Sequence, residues 1–441
     1  MKYLMIVVLI AYLFILVPSC KTSSSIPSSE TSFEEPKRIT DVLAEIGLEA
    51  RPITNDHQST HLQETYEIYI NQPLDHKDIS KGYFKQKIYL SHSSFGAPMV
   101  MYLSGYNSPN NRYISEPTYM LNANQINVEH RFFGDSGPEE IPFEYLTIEQ
   151  AAADHHNIVK TLKKVYSSPW LSTGISKGGQ TTIYHRYYYP EDVEASVVYV
   201  APLNLDVEDE RIYTFLENVG TEECRNKVLA YQLELLMNYD FALGFFQDMT
   251  EEKGYEYGVP LEEAFELSIF EYGFAFWQWS GDCASIPETD SSIREKIEHL
   301  FNIDAPGFFT ASTMTDIFPF FYQSYTEMGM YGYRIAPFED LTREFTQDVS
   351  NYEVFIPDEF KLTYDGSVHS EVEKWLDSSA EDMVFIYGEN DPWSATGYEP
   401  TGENNLYRFV IENGNHRSRV AHLSPKELKQ FKDSINLWLN N

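Results

Sequence analysis

Trp170-Leu171-Ser172-Thr173-Gly174-Ile175-Ser176-Lys177-Gly178-Gly179 is the stretch from which the fold is read. Trp170 to Ile175 has the content of a short buried strand, and Gln180 to Tyr189 continues as a helix stopped by Pro190. Between them Gly174 to Gly178 spells G-x-S-x-G, the nucleophile-elbow pattern. A strand that turns directly into a helix bends so sharply that small residues must flank the serine. The turn holds the Ser176 hydroxyl above the sheet and aims the next N–H, that of Lys177, at a developing oxyanion. The bare pattern is common; its strand-to-helix setting gives it weight.

Strand–helix alternation extends outward from this turn. Tyr66 to Leu74 and Tyr83 to His92 carry the β-branched and aromatic residues of strands. Met99 to Leu103, closed by Ser104-Gly105, reads as a strand buried on both faces, and Gln125 to Val128 as another. Ile158, Leu162 and Val165 lie on one helical face, and Ala195 to Pro202 returns to strand. The expected fold is α/β, a mostly parallel central sheet with flanking helices. From about Asp206 to Ser378 the alternation stops. That stretch is helical in places, as at Leu229, Leu233 and Leu236, and rich in aromatics, as in Phe274 to Trp279 and Phe318 to Tyr322. Strands resume at Met383 to Tyr387 and Leu406 to Ile411. A last helix opens with a capping box at Ser424-Pro425-Lys426-Glu427 and buries Leu428, Phe431, Ile435 and Trp438. The predicted organisation is one α/β domain in two parts, 41–205 and 379–441, interrupted by a mainly helical lid, 206–378.

The elbow calls for an acid and then a histidine later in the chain. Asp391 follows the strand Met383 to Tyr387, and His416 follows the strand Leu406 to Ile411. Both lie past the C-terminal ends of strands, where open α/β sheets place their sites. Ser176 is the expected nucleophile, His416 its base, and Asp391 the group that orients the imidazole. The second oxyanion N–H is expected in the loop after Met99 to Leu103, at Gly105 or Tyr106. Two other signals are read as structural. Ser136, in Gly134-Asp135-Ser136-Gly137-Pro138, is taken as a turn residue, and Asp154-His155-His156 as a solvated helix surface. No H-E-x-x-H, P-loop or G-x-G-x-x-G occurs, so no metal or cofactor is expected.

Acidic residues number 67 and basic 32, a net charge of −35, which argues against a nucleic-acid partner. Hydrophobic residues at 42% and charged residues at 22% are globular values. Tyr3 to Val17 is an apolar run shorter than the roughly 18 residues of a spanning helix, so 1–19 reads as a signal peptide. It ends Val17-Pro18-Ser19-Cys20, similar to a bacterial lipobox. Cys20 is therefore the expected lipidation site, placing the chain on a membrane as an exported lipoprotein of the outer membrane, periplasm or cell surface. Residues 20–40 are a flexible tether. Cys224 and Cys283 remain, and the sequence leaves open whether they pair or stay free.

Several segments resemble serine peptidase family 37, the PS-10 type prolyl tri- and tetrapeptidyl aminopeptidases, and their relatives among prolyl carboxypeptidases and dipeptidyl peptidases. They are Asn71 to His76, Tyr102 to Tyr106, Val128 to Gly134, Gly174 to Gly179 and Gly388 to Trp393. The resemblance implies an α/β-hydrolase with a helical lid that removes short peptides from substrate N-termini, often at proline. It carries the catalytic roles onto Ser176, Asp391 and His416. Oligopeptides are the implied partners. An aminopeptidase needs carboxylates for the substrate's amino group, and Asp206, Glu208 and Glu222 at the start of the lid are the candidates, though a solvated acidic face explains them as well. A carboxylesterase or lipase on the same scaffold, or a non-catalytic binding lipoprotein, are the alternatives.

Overall fold

Every residue of Met383–Gly388 is buried, because alternate side chains along a strand serve opposite faces of the sheet. Met383, Phe385 and Tyr387 pack with Ile183, Tyr184 and Leu376. Val384 and Ile386 pack with Phe431, Ile435 and Trp438 of the last helix. A strand covered on both sides is the unit from which the layered α/β fold is built.

This computed structural model describes residues 38–54, 57, 59–108, 110–401 and 404–440. The apolar run from Tyr3, Cys20 and most of the tether lie outside the described residues. The strands are β1 (Ala50–Pro52), β2 (Glu64–Pro73), β3 (Tyr83–His92), β4 (Met99–Leu103), β5 (Asn124–Val128), β6 (Trp170–Ile175), β7 (Ala195–Tyr199), β8 (Gly332–Tyr333), β9 (Val349–Ser350), β10 (Met383–Gly388) and β11 (Leu406–Ile411). Nine form one sheet in the order β1-β2-β3-β5-β4-β6-β7-β10-β11, and β8 and β9 pair separately. From β5 to β11 neighbours run parallel. The β1–β2, β2–β3 and β3–β5 pairs are antiparallel. The link from β2 to β3 closes with Leu74 N donating to Gly82 O at 2.9 Å, a connection too short for the crossover helix that a parallel pair requires. β1 is short and carries a proline, so it left no strand signal in the sequence.

Helix Ile148–Leu162 begins where the Thr147 hydroxyl caps Gln150 N, and its Ile158, Val159 and Leu162 cover Met99, Met101 and Trp170 on one face of the sheet. Its Asp154 and His155 are buried, not solvated as the sequence suggested. The buried guanidinium of Arg131, from the loop after β5, draws Asp154 inward: Nε and Nη2 donate to its two oxygens at 2.7 and 2.9 Å. The last helix, Pro425–Trp438, has the expected reciprocal cap between Ser424 and Glu427.

Between β7 and β10 the chain leaves the sheet. Helices from Glu210–Asn218 to Asn351–Phe355 enclose their own apolar core, which includes Phe246, Phe265, Phe276, Phe309 and Phe321. A Cys224–Cys283 disulfide, with Cα atoms 5.6 Å apart, links two parts of this insertion. Helix Ser367–Ser378, which the sequence placed in the lid, packs on the sheet layer through Val372 and Leu376. Its His369 is buried against Tyr184, and imidazole and hydroxyl are hydrogen-bonded. Among the described residues no helix is long and apolar enough to cross a membrane.

Candidate active site

At the end of β6 the backbone reverses at Ser176, which has φ 57° and ψ −124° and stands as N-cap of helix Lys177–Tyr188. A non-glycine residue with such a φ is strained, and strain of this kind gathers at functional sites. The flanking glycines are required by contact. A Cβ on Gly174 would lie 2.1 Å from Gly178 O, and one on Gly178 would lie 2.3 Å from Leu103 O. Ser176 N donates to Tyr199 O at 2.9 Å, which ties the elbow to β7.

Two and three strands further across the sheet, Asp391 follows β10 and His416 follows β11. The His416 Nδ1–H donates to Asp391 Oδ2 at 2.8 Å, with the carboxylate fully buried and the histidine 4% exposed. Asp391 Oδ1 also accepts from Trp393 N at 3.2 Å. His416 N donates to Gln278 O at 3.0 Å, and its ring meets Trp279 edge-on at 5.4 Å. Gln278 and Trp279 line the same cavity, of about 310 Å³, as Ser176. No hydrogen bond joins Ser176 to His416 in this structure. Such contacts are often loose before substrate binds.

The loop after β4 lies against the elbow. Gly105 has φ 75°, and a Cβ there would come within 2.5 Å of Gly178 N. The Lys177 side chain is buried, and its Nζ donates to Gly105 O at 2.7 Å, beneath the rings of Phe133 and Tyr106. Burial holds this ammonium well below the usual lysine range. The loop is braced from below. Ser104 Oγ lies 2.8 Å from the carbonyl oxygens of both Tyr106 and Val128, and His130 N donates to Tyr106 O at 3.0 Å. Buried Glu129 accepts from Ser108 N at 2.6 Å, Asp135 N at 2.8 Å and Ser136 Oγ at 2.8 Å. Ser136 is thus a buried turn residue. The stretches Asn71 to His76 and Val128 to Gly134 supply this scaffold: His76 and Arg131 both bind Asp154.

The three acids expected near a substrate amino group do not line that cavity. Asp206 is exposed and accepts from Val207 N. Glu208 accepts from the hydroxyls of Tyr213 and Ser350. Glu222 is exposed in the first turn of its helix, where it complements the helix dipole. The cavity instead contains Glu271, with Tyr331 and Trp393 beside it. Sequence inspection passed over Glu271, although an acid inside the apolar run Leu261–Trp279 is a signal in itself. Among the described residues no cluster of His, Cys, Asp and Glu is arranged to hold a metal.

A strained serine at a strand-to-helix elbow, above a mostly parallel nine-stranded sheet interrupted by helices, is the architecture of an α/β-hydrolase. The chain is 32% identical over 375 residues to the prolyl tri/tetrapeptidyl aminopeptidase of Streptomyces mobaraensis, covering 83% of this chain and 78% of that one. It matches the PS-10 peptidase S37 family over residues 49–439, and it belongs to that family of serine peptidases. Among solved structures, the proline iminopeptidase of Mycobacterium smegmatis aligns with TM-score 0.41 and 11% identity, over 84% of this chain and 97% of that one. VinJ aligns with TM-score 0.40 and 13% identity, over 84% and 98%.

Proposed function

We propose that this protein is an exported, lipid-anchored exopeptidase that releases short peptides from the amino ends of oligopeptides, with preference for proline at the cleaved bond. Ser176 attacks the scissile carbonyl, and His416 takes its proton and later gives it to the leaving amine. Asp391 holds the imidazole tautomer and stabilises the imidazolium. The N–H of Lys177 and the peptide joining Gly105 to Tyr106 receive the oxyanion. The observation that carries this reading is the buried 2.8 Å His416–Asp391 pair, whose neighbours Gln278 and Trp279 line the cavity of the elbow serine. The similarity to the Streptomyces aminopeptidase supports the peptide substrate and the proline preference. The Cys224–Cys283 disulfide supports an oxidising compartment.

A peptide library digested by the purified enzyme and read by mass spectrometry tests this. Release of short amino-terminal fragments is expected, and Ser176→Ala should lower turnover by at least about 10⁴-fold while the fold persists. Ester turnover without amide turnover, or full activity in the alanine variant, would overturn it.

A further inference from the structure

Helix Leu261–Trp279 buries two carboxylates among apolar side chains, and they are treated differently. Glu266 is consumed by structure. Its Oε1 accepts from Arg343 N at 2.6 Å and Glu344 N at 3.1 Å, and its Oε2 from Phe345 N at 3.2 Å. Glu271 has no such partners. The hydroxyls of Tyr331 and Tyr333 both donate to Oε2, at 2.9 and 2.8 Å, and Oε1 receives no hydrogen bond. Glu271 is only 4% exposed, yet it lines the cavity that holds Ser176.

No lysine, arginine or histidine pairs with Glu271, and burial pushes its carboxyl up to about 7. The titratable groups on its flank are Tyr331 and Tyr333, with Tyr325 behind them. Asp304 and Lys177 line the same cavity, the latter committed to Gly105 O. The wall beside the carboxylate is aromatic. Phe274 stacks on Tyr331 at 3.8 Å, and Trp393 meets both rings edge-on at 5.2 and 5.5 Å. An unpaired carboxylate beside aromatic faces is a site built for a cation.

Keeping this acid works against the fold. Its value is raised above 4.5, so its contribution to stability is present below that pH and is lost as pH rises through about 7. A bound cation offsets the loss, which gives the acid a use.

We infer that Glu271 binds the α-ammonium of the peptide whose scissile bond lies at Ser176, with Tyr331 and Tyr333 orienting its carboxylate. This rests on the peptidase reading and adds to it the residue that recognises the free amino terminus. The separation of Glu271 from Ser176 then acts as a ruler for the fragment released. The acids Asp206, Glu208 and Glu222 are not needed for it.

The test compares a short peptide substrate with its N-acetyl form; where the acetylated peptide is not turned over, its inhibition constant replaces KM. Glu271→Gln should lower kcat/KM for the free-amine peptide about a hundredfold, chiefly through KM, and largely abolish the preference over the acetylated one. In the parent enzyme KM should rise as pH falls through about 7, because protonation removes the charge; in Glu271→Gln that limb should vanish. The same variant should melt higher than the parent at about pH 8. Tyr333→Phe keeps the packing but removes a donor, so the KM limb should move to higher pH. Equal losses on free and acetylated peptides, or an unmoved pH limb in both variants, would overturn the assignment. Those outcomes leave the peptidase reading intact, since Ser176 would still be labelled by a fluorophosphonate. A parent enzyme that cleaves no peptide would overturn both.

Discussion

Lys177 contributes to the elbow through two different groups. Its backbone N–H opens the helix after Ser176, where first-turn donors have no acceptor of their own. Its ammonium, 1% exposed, holds Gly105 O from behind. In a trans peptide C=O and N–H point opposite ways, so anchoring Gly105 O directs the Tyr106 N–H to the other side of the loop. Lys177→Met fills the same space without the donor. We expect kcat to fall about 10- to 100-fold with KM nearly unchanged, and thermal stability to hold, because the substitution also removes a buried, desolvated amino group. Stopped-flow or steady-state kinetics on one peptide substrate decide it; an unaltered kcat would show that the loop stands without this anchor. Glu271 belongs to the same scale, a single buried acid whose worth depends on one oxygen left unpaired.

Among the elements, helix Leu261–Trp279 connects the insertion to the site. Its middle supplies Glu271, and its end supplies Gln278 and Trp279 against His416. The Cys224–Cys283 bridge lies just beyond that end and ties it to helix Glu222–Met237 across 59 residues of chain. Closing a loop of this size stabilises by about 2–4 kcal/mol, mainly by restricting the unfolded chain. Replacing both cysteines by alanine should lower the melting temperature accordingly and raise KM, because the Trp279 wall loses its tether. Calorimetry with and without reductant measures the first effect. An unchanged melting temperature in both conditions would mean that the bridge contributes nothing.

For the molecule as a whole, the proposed anchor follows from chemistry at Cys20. In that proposal the apolar run followed by Pro18-Ser19-Cys20 would direct acylation, and acyl chains would hold the protein to a bilayer that none of its described helices is long and apolar enough to span. Cys20→Ala should move the protein from the detergent phase to the aqueous phase of a Triton X-114 partition, with peptidase activity per molecule retained. Continued detergent partitioning of the variant would contradict lipid attachment at this residue. The net charge of −35 also bears on the proposed substrate: a field of that sign would favour the approach of a peptide by its positive end.

Short-range chemistry explains how much of this was readable beforehand. The elbow at Gly174 to Gly178, the strand ends before Asp391 and His416, and the cap at Ser424 each depend on a few adjacent residues, so spacing alone exposes them. Burial of Asp154 does not show in the sequence, because the partner that draws it inward, Arg131, comes from the loop after β5. Helix Ser367–Ser378 reads as part of the lid for a similar reason: its amphipathic face is legible, but not the surface it covers. From the sequence came the fold class, the serine elbow and the presence of a helical insertion, all properties of local pattern and chain order. Tertiary packing alone decided that Cys224 meets Cys283, and that Glu271, rather than the acids opening the lid, shares a cavity with Ser176. Both facts are distances between parts of the chain that no local periodicity relates.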